Sequence, residues 1–201
     1  MTRIDQPRTR RSRGTRAAIL DAAWRLLEEG GGAALTMSAA AQAAGVSRRG
    51  LYLHFASRGE LFAALIEHID AELDLASSLR PVREAPDAVA ALDAWAAHVV
   101  TYHGRIAAVA RAVERARHDD PDAAALWERA TAAWLGACRG LAGALAEEGR
   151  LADGWTAESA ADLLWALMSP ALVDDLASAR GWTTDAFVAR LRLLVRRTLV
   201  A

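Results

Sequence analysis

Lysine is absent from this chain of 201 residues, and cysteine occurs only once, as Cys138. A single cysteine excludes a disulfide within the chain, which fits a reducing compartment such as the cytoplasm. No uncharged apolar run reaches the ~18 residues of a membrane span, and no apolar signal-peptide core closely follows the Arg-rich N-terminus. We therefore expect a cytoplasmic protein with no membrane partner.

Common catalytic motifs are also missing. The sequence contains no HExxH zinc-protease motif, no GxSxG nucleophile elbow, no P-loop and no CxxC pair. His118, Asp119 and Asp120 are adjacent, but they directly precede Pro121, and this arrangement is more typical of a helix start than of a metal site. We expect no catalytic residues, no metal and no cofactor.

The net charge of −1 conceals an uneven distribution along the chain. Residues 1–58 contain ten Arg and four acidic residues, a net charge of +6, whereas residues 59–201 carry −7. Six of these Arg lie in the first sixteen residues, where Pro7 and Gly14 predict a flexible, Arg-rich arm over residues 1–14. Such an arm is attracted to phosphates, although an ordinary solvated tail would have the same composition.

Helix-forming residues dominate the composition. Ala alone accounts for 49 positions, and the β-branched residues are dispersed, so an all-α fold is predicted. The triplet Gly30–Gly32 is expected to end the first helix, and Pro81 and Pro86 to bracket a loop. Punctuation by Gly and Pro predicts about nine helices, at approximately residues 15–29, 37–44, 48–55, 58–79, 87–102, 105–117, 121–148, 157–179 (with a kink at Pro170) and 183–200.

The segment Thr36–Phe55 has the pattern of a helix-turn-helix. Two short helices flank Gly45-Val46-Ser47, where Gly45 can supply the left-handed backbone of a tight turn. In the helix-turn-helix of DNA-binding proteins the second helix enters the major groove. On spacing alone, an ordinary helical hairpin inside a core explains the segment equally well.

A longer series of residues surrounds this hairpin. In order, it comprises Thr15–Ala23, Gly30, Leu35-Thr36, Ala44–Ser47, Leu51-Tyr52, Phe55, Ser57-Arg58 and Glu60-Leu61. In order and spacing, residues 13–62 closely resemble the DNA-binding domain of the tetracycline-repressor (TetR) family of bacterial regulators. Departures include Ala39 and Ala40, where the family usually has larger residues, Arg58 in place of Lys, and Gly59 in place of a common acidic residue.

The resemblance implies a three-helix DNA-binding domain at residues 15–62 and a larger helical effector-binding and dimerisation domain at residues 63–201. Arg48 and Arg49 open the reading helix, where each can reach a guanine edge or a phosphate of double-stranded operator DNA. By resemblance Tyr52 contacts a phosphate, although a role in the core is the alternative. The predicted DNA-binding set is Thr15, Arg16, Thr36, Ser47, Arg48, Arg49, Gly50, Tyr52, His54 and Arg58.

Six of the seven Trp lie beyond residue 62. Trp127 and Trp134 are two helical turns apart, and Trp95 and Tyr102 belong to a stripe on another helix, which would suit a pocket for a bulky apolar ligand. Filling of an Ala-rich core would explain the same pattern. Because the resemblance implies a small-molecule effector, the candidate ligand-binding residues are Trp95, His98, Tyr102, Trp127, Trp134, Cys138, Trp165 and Met168.

The last two predicted helices each carry an apolar stripe. Burial within the monomer would explain both stripes, but the resemblance implies a homodimer joined through a four-helix bundle. Such a dimer places two reading helices about one DNA turn apart. The predicted interface residues are Leu163, Leu164, Leu167, Leu172, Leu176, Phe187, Leu191, Leu194 and Val195.

Together these expectations describe a ligand-responsive transcriptional regulator. The favoured hypothesis is a repressor that leaves a pseudo-palindromic operator when a small hydrophobic effector binds the C-terminal domain. One alternative is a helical small-molecule-binding protein or enzyme with an incidental helix-turn-helix. Another is a transcriptional activator.

Overall fold

The computed structural model describes residues 10–201, and residues 1–9 of the predicted arm lie outside them. Within the described part, regular structure is helical, and β-pairing is limited to one isolated bridge between Leu151 and Val200. The all-α prediction is confirmed. None of the described helices is long and apolar enough to cross a membrane.

The helices follow one another with short connections. They are α1 (Arg10–Ala34), α2 (Met37–Ala43), α3 (Arg48–Tyr52), α4 (Arg58–Glu72), α5 (Leu75–Arg83), α6 (Ala88–His98), α7 (Gly104–Ala116), α8 (Pro121–Glu147), α9 (Ala157–Leu167), α10 (Pro170–Asp174) and α11 (Thr184–Leu199). Two π-helical segments, Val99–His103 and Asp175–Ala179, follow α6 and α10 respectively.

Helix α1 extends beyond both of its predicted ends. It begins at Arg10, so the last residues of the predicted arm are helical, and it continues through Gly30–Gly32 to Ala34. The prediction that the glycines end the helix is therefore wrong. Each Gly costs a helix only about 1 kcal/mol relative to Ala. Leu35, which is fully buried immediately after α1, anchors the end of the helix.

Two of the nine predicted helices are each broken in two. The predicted fourth helix is interrupted at Asp74, whose φ of 49° is left-handed and whose carboxylate accepts a hydrogen bond from Ser77 N at 3.1 Å. The side chain of Asp74 thereby caps α5, which contains Pro81 inside the helix rather than in the predicted loop. The predicted eighth helix ends at Leu167 and restarts with Pro170 at the first position of α10, where proline is well tolerated.

Contacts divide the described chain into two compact units. The N-terminal unit contains residues up to Glu72 together with Ala108–Trp127, and the C-terminal unit contains Leu73–Ala107 and Glu128–Ala201. The predicted boundary between residues 62 and 63 falls inside α4. Helices α7 and α8 both contribute to each unit.

Each unit has its own apolar core. In the N-terminal unit, the largest fully buried side chains include Ile19, Leu20, Leu27, Leu35, Leu51, Phe55, Leu61, Phe62, Leu65 and Ile69. His68 Nε2 lies 2.7 Å from Asp21 Oδ1, which joins α4 to α1. In the C-terminal unit, one cluster draws on α6, α8, α9 and α11 and includes Leu92, Trp95, Cys138, Leu145, Leu164, Phe187, Leu191 and Val195.

Candidate DNA-binding surface and aromatic cluster

Side-chain caps define the two short helices of the hairpin. Thr36 Oγ1 accepts a hydrogen bond from Ala39 N at 3.0 Å, and Ser47 Oγ accepts one from Gly50 N at 3.0 Å. Gly45, between the helices, has a φ of 67°, which is the left-handed conformation predicted for the turn. The caps and the turn follow from short-range chemistry, because each needs only neighbouring residues.

Helix α3 presents a polar face and buries an apolar one. Arg48 and Arg49 are exposed, whereas Leu51 and Phe55 are fully buried. Tyr52 is 42% exposed, and the Arg48 guanidinium carbon lies 5.8 Å from its ring centroid. The alternative of Tyr52 as core filler is therefore wrong.

The reading helix is shorter than predicted. It ends at Tyr52, so Leu53 and His54 lie in the following turn, where His54 N donates to Leu51 O at 2.9 Å. His54 is half-buried, and its ring centroid lies 6.4 Å from that of Phe55. Leu53, which the sequence did not single out, is 76% exposed. At Gly50, a Cβ atom would lie 3.2 Å from Ser47 Oγ and would crowd the cap of the helix.

Two further Arg lie over aromatic rings of the same small core. The Arg16 guanidinium carbon is 4.9 Å from the Phe55 centroid, and that of Arg58 is 5.0 Å from the Phe62 centroid. A guanidinium stacked on a ring keeps its donors directed outward in the plane of the group. Because Phe55 lies three residues after the end of α3, the structure brings Arg16 of α1 close to the end of the reading segment.

Hydrogen bonds hold the N-terminus of α4 both to its flanking residues and to Asp122 of α8. Ser57 Oγ accepts a hydrogen bond from Glu60 N at 3.1 Å and donates one to Asp122 Oδ2 at 2.9 Å. Glu60 Oε2 in turn accepts from Ala56 N at 2.6 Å. These bonds form a modified capping box, because the Glu60 carboxylate pairs with the backbone N of the residue before the cap rather than with that of Ser57.

The first π-helical segment gathers aromatic side chains in the C-terminal unit. The His98 ring lies 5.1 Å from Tyr102 and 5.8 Å from His103, and the Trp134 ring lies 5.1 Å from His103. We call these four residues the aromatic cluster. In a regular α-helix a residue five positions after His98 would be rotated by about 140° from it, but the wider π turn brings His103 as well as Tyr102 to the side of His98, and both are buried.

The pKa of each histidine is lowered to about 4, by burial in the case of His98 and by burial together with the nearby His98 in the case of His103. His98 Nδ1 is 2.8 Å from Ser78 Oγ, and His103 Nδ1 is 3.2 Å from Met168 O. Because a carbonyl can only accept, His103 carries its proton on Nδ1. Both rings are therefore neutral at pH 7. Among the described residues, no group of three or more His, Cys, Asp or Glu is arranged to hold a metal ion.

Two other buried polar groups belong to the same unit. Cys138 Sγ lies 3.5 Å from Met168 Sδ, and burial raises the pKa of the thiol to about 12. Trp95 is buried, and its Nε1 has no hydrogen-bond partner among the described residues. A buried donor without an acceptor is costly and is a group that a ligand oxygen could satisfy.

The remaining predicted ligand residues are dispersed. Trp165 is 40% exposed and donates from Nε1 to Thr131 O at 3.3 Å. Trp127 belongs to the N-terminal unit, where Arg117 lies over its ring, so it does not share a unit with Trp134. His103 and Ser78 were missing from the predicted set, because no sequence pattern indicates the π turn that aligns His103 with His98.

The predicted dimer residues fall into three groups by exposure. Leu164, Phe187, Leu191 and Val195 are buried in the core of the C-terminal unit, which corrects their assignment to a surface. Half-buried residues form the second group and comprise Leu163, Leu167, Leu172 and Leu176. Leu194 is 47% exposed, as is Leu193 at 42%, which the sequence did not single out.

Comparison with known proteins concerns first the hairpin region. Residues 19–65 match the family model described as bacterial regulatory proteins, tetR family. The nucleoid occlusion factor SlmA of Marinomonas sp. (strain MWYL1) is 43% identical over 58 residues. That match spans 29% of this chain and 29% of the SlmA chain.

Solved structures match the fold over nearly the whole chain. A transcriptional regulator from Saccharomonospora viridis, in complex with choline, has a TM-score of 0.75 at 19% identity and covers 94% of this chain and 99% of its own. NalD, the secondary repressor of the MexAB-OprM multidrug efflux pump in Pseudomonas aeruginosa, has a TM-score of 0.72 at 23% identity and covers 94% and 98%.

Proposed function

Because this chain belongs to the tetR family of bacterial regulatory proteins, we propose that it is a homodimeric repressor whose operator affinity falls when a small hydrophobic effector binds. The observation that carries the proposal is the amphipathic reading helix. Arg48, Arg49 and Tyr52 lie exposed on α3, while Leu51 anchors the opposite face in the core. These exposed side chains could enter the major groove of DNA, and the buried face of α3 holds the helix in place against the core.

The DNA-binding assignment divides the surface into two kinds of contact. Arg48 and Arg49 read base edges or hold phosphates from the start of α3. Arg16 and Arg58 are each stacked on a buried ring, and we assign them to contacts with the phosphates of the DNA backbone. Thr15, Thr36, Ser47, Gly50, Tyr52 and His54 complete the proposed contact set.

The proposal of a dimer depends on how much of a DNA site one reading helix can cover. A single α3 of five residues covers only a half-site, so a two-fold symmetric operator needs two copies. The half-buried and exposed leucines of α9 to α11, with Leu194 as the most exposed of the predicted residues, support an interface through this part of the C-terminal unit. Burial of these side chains against a second copy would remove their apolar area from water.

The effector assignment rests on the aromatic cluster. Its imidazoles are neutral, its rings meet at varied angles, and the Trp95 N–H is an additional donor nearby in the core. These groups favour an uncharged aromatic or aliphatic molecule with one or two oxygen acceptors. The choline complex of the S. viridis regulator supports small-molecule binding by a protein of this fold, and the role of NalD as a secondary repressor supports repression.

A fluorescence-anisotropy titration with the DNA upstream of the protein's own gene tests the proposal. We expect binding at least about 10³-fold tighter than to unrelated DNA of the same length, and release of the DNA by at least one member of a panel of uncharged aromatic compounds. Equal affinity for the upstream DNA and the unrelated DNA would contradict the proposal that the protein is a sequence-specific regulator. Binding that no compound relieves would contradict the effector response.

A further inference from the structure

One glycine of the N-terminal unit occupies a place where no side chain fits. Gly59 is buried in the first turn of α4. A Cβ atom added there would overlap Asp122 Cβ and lie 2.7 Å from both Cγ and Oδ2 of that residue. Because the obstruction is the first side-chain atom of Asp122, rotation of the Asp side chain does not relieve it. The first turn of α8 therefore packs against α4 only because residue 59 is Gly.

A hydrogen bond accompanies this close approach. Asp122 Oδ2 accepts from Ser57 Oγ at 2.9 Å, and Ser57 is the residue whose hydroxyl caps α4 through Glu60 N. Asp122 is itself held in place, since its backbone N donates to Asp120 Oδ1 at 3.0 Å. We call Ser57, Gly59 and Asp122 the α4–α8 contact.

The α4–α8 contact adjoins the DNA-binding residues on the chain. Ser57 lies two residues after Phe55, the ring beneath Arg16, and one residue before Arg58. A displacement of the α4 N-terminus therefore changes where Arg58 and the end of the reading segment are held. Geometry at such positions needs to be accurate to about 0.5 Å for contacts to form.

We propose that Asp122 is a positioning residue for DNA binding: through its fit against Gly59 and its hydrogen bond to Ser57, the first turn of α8 holds the N-terminus of α4 in place. This inference rests on the proposed function, because it concerns the geometry of operator binding. Asp122 itself makes no DNA contact in this account. Its effect passes through Ser57 and Arg58.

The first experiment tests the fit by exchanging the sizes of the two partners. Gly59→Ala is expected to weaken binding to the upstream DNA by about tenfold or more, since it separates α8 from α4. The double variant G59A/D122G removes the obstructing Cβ and is expected to restore binding to within about threefold of D122G alone. Failure of the second substitution to restore binding, with circular dichroism showing both variants folded, would overturn the proposed fit.

The second experiment tests the hydrogen bond. Asp122→Asn retains an oxygen acceptor for Ser57 and is expected to bind the upstream DNA within about threefold of wild type, whereas Asp122→Ala is expected to lose about fivefold. A purely structural role would lower the unfolding midpoints of both variants without separating their DNA affinities. Equal affinities of D122N and D122A would overturn the positioning role.

The outcomes also separate this inference from the proposed function. If wild type itself does not bind the upstream DNA, the proposed function fails. If wild type binds and the D122N and D122A variants bind this DNA equally well, only this inference fails.

Discussion

The proposed DNA-binding surface and the aromatic cluster are built in opposite ways. On the surface, each cap joins residues three positions apart, and Arg48, Arg49 and Tyr52 are exposed. In the cluster, the hydrogen bonds of His98 and His103 join each histidine to a residue 20 or 65 positions away, and both histidines are buried. Local chemistry specifies the first region, whereas tertiary packing specifies the second.

The same contrast extends to charge. The first 58 residues carry +6, and all of their cations are Arg, whose guanidinium stays protonated at any working pH. The aromatic cluster contains neutral imidazoles with a lowered pKa. DNA binding should therefore respond to salt, and the stability of the C-terminal unit to acid.

The salt response is the largest difference that we expect. If the dimer neutralises about six or more phosphates, an increase in monovalent salt from about 50 to 200 mM weakens binding to the upstream DNA by about 10³-fold. Binding of an uncharged effector should change less than about twofold, because no counterions are released. Anisotropy for DNA and calorimetry for the effector would measure both, and a flat salt response of DNA binding would abolish the contrast.

The acid response should be intermediate in size. The pKa of His103 is about 4 in the folded state and 6.5 without burial, so the unfolded chain takes up the proton first as pH falls. Its contribution to stability is complete above pH 6.5 and is lost as pH falls from 6.5 towards 4, amounting to roughly 2 kcal/mol at pH 5.

Urea unfolding at pH 7 and pH 5 would measure this loss. His103→Gln can still donate to Met168 O but does not titrate, so its stability should fall less between the two pH values than that of wild type. His118→Gln, at an exposed position, is the matched control and should keep the wild-type difference. An unchanged pH dependence in H103Q would show that burial of His103 does not determine the acid response.

Removal of a helix cap should have the smallest effect on DNA affinity. The effect should also differ between a cap in the N-terminal unit and a cap in the C-terminal unit. Thr36 caps α2 and Thr156 caps α9 in the same way, through the backbone N of the third residue on. Each Thr→Ala substitution is expected to cost about 1 kcal/mol in the free energy of unfolding. Only T36A should also weaken DNA binding, by about threefold or more; an equal loss of affinity in T156A would contradict this separation.

The local construction explains which features could be predicted from sequence. The left-handed turn at Gly45 was predicted correctly, because such a turn depends only on neighbouring residues, and the caps formed by Thr36 and Ser47 are equally local. Gly30–Gly32 were expected to end α1 by the same reasoning, and there packing overrode the local preference. The resemblance supplied the exposed face of α3, which periodicity alone left open.

The aromatic cluster could be predicted only in part. The spacing of Trp127 and Trp134 correctly places both on α8, but periodicity does not indicate that they belong to different units. Trp95 and Tyr102 were assigned to one stripe and His98 to the candidate ligand residues, whereas the position of His103 beside His98 required the π turn. Helical periodicity identifies a buried face without identifying what packs against it.

The central claim is that α3 of the N-terminal unit reads DNA, and the most direct test is the affinity of Arg48→Ala/Arg49→Ala for the upstream DNA. Loss of one good base contact costs about 1–3 kcal/mol, so we expect the double variant to bind at least about 100-fold more weakly than wild type. Arg139→Ala/Arg150→Ala removes the same charge from exposed positions of the C-terminal unit and should change affinity less than about threefold. Wild-type affinity in the Arg48/Arg49 variant, or an equal loss in both variants, would contradict the account.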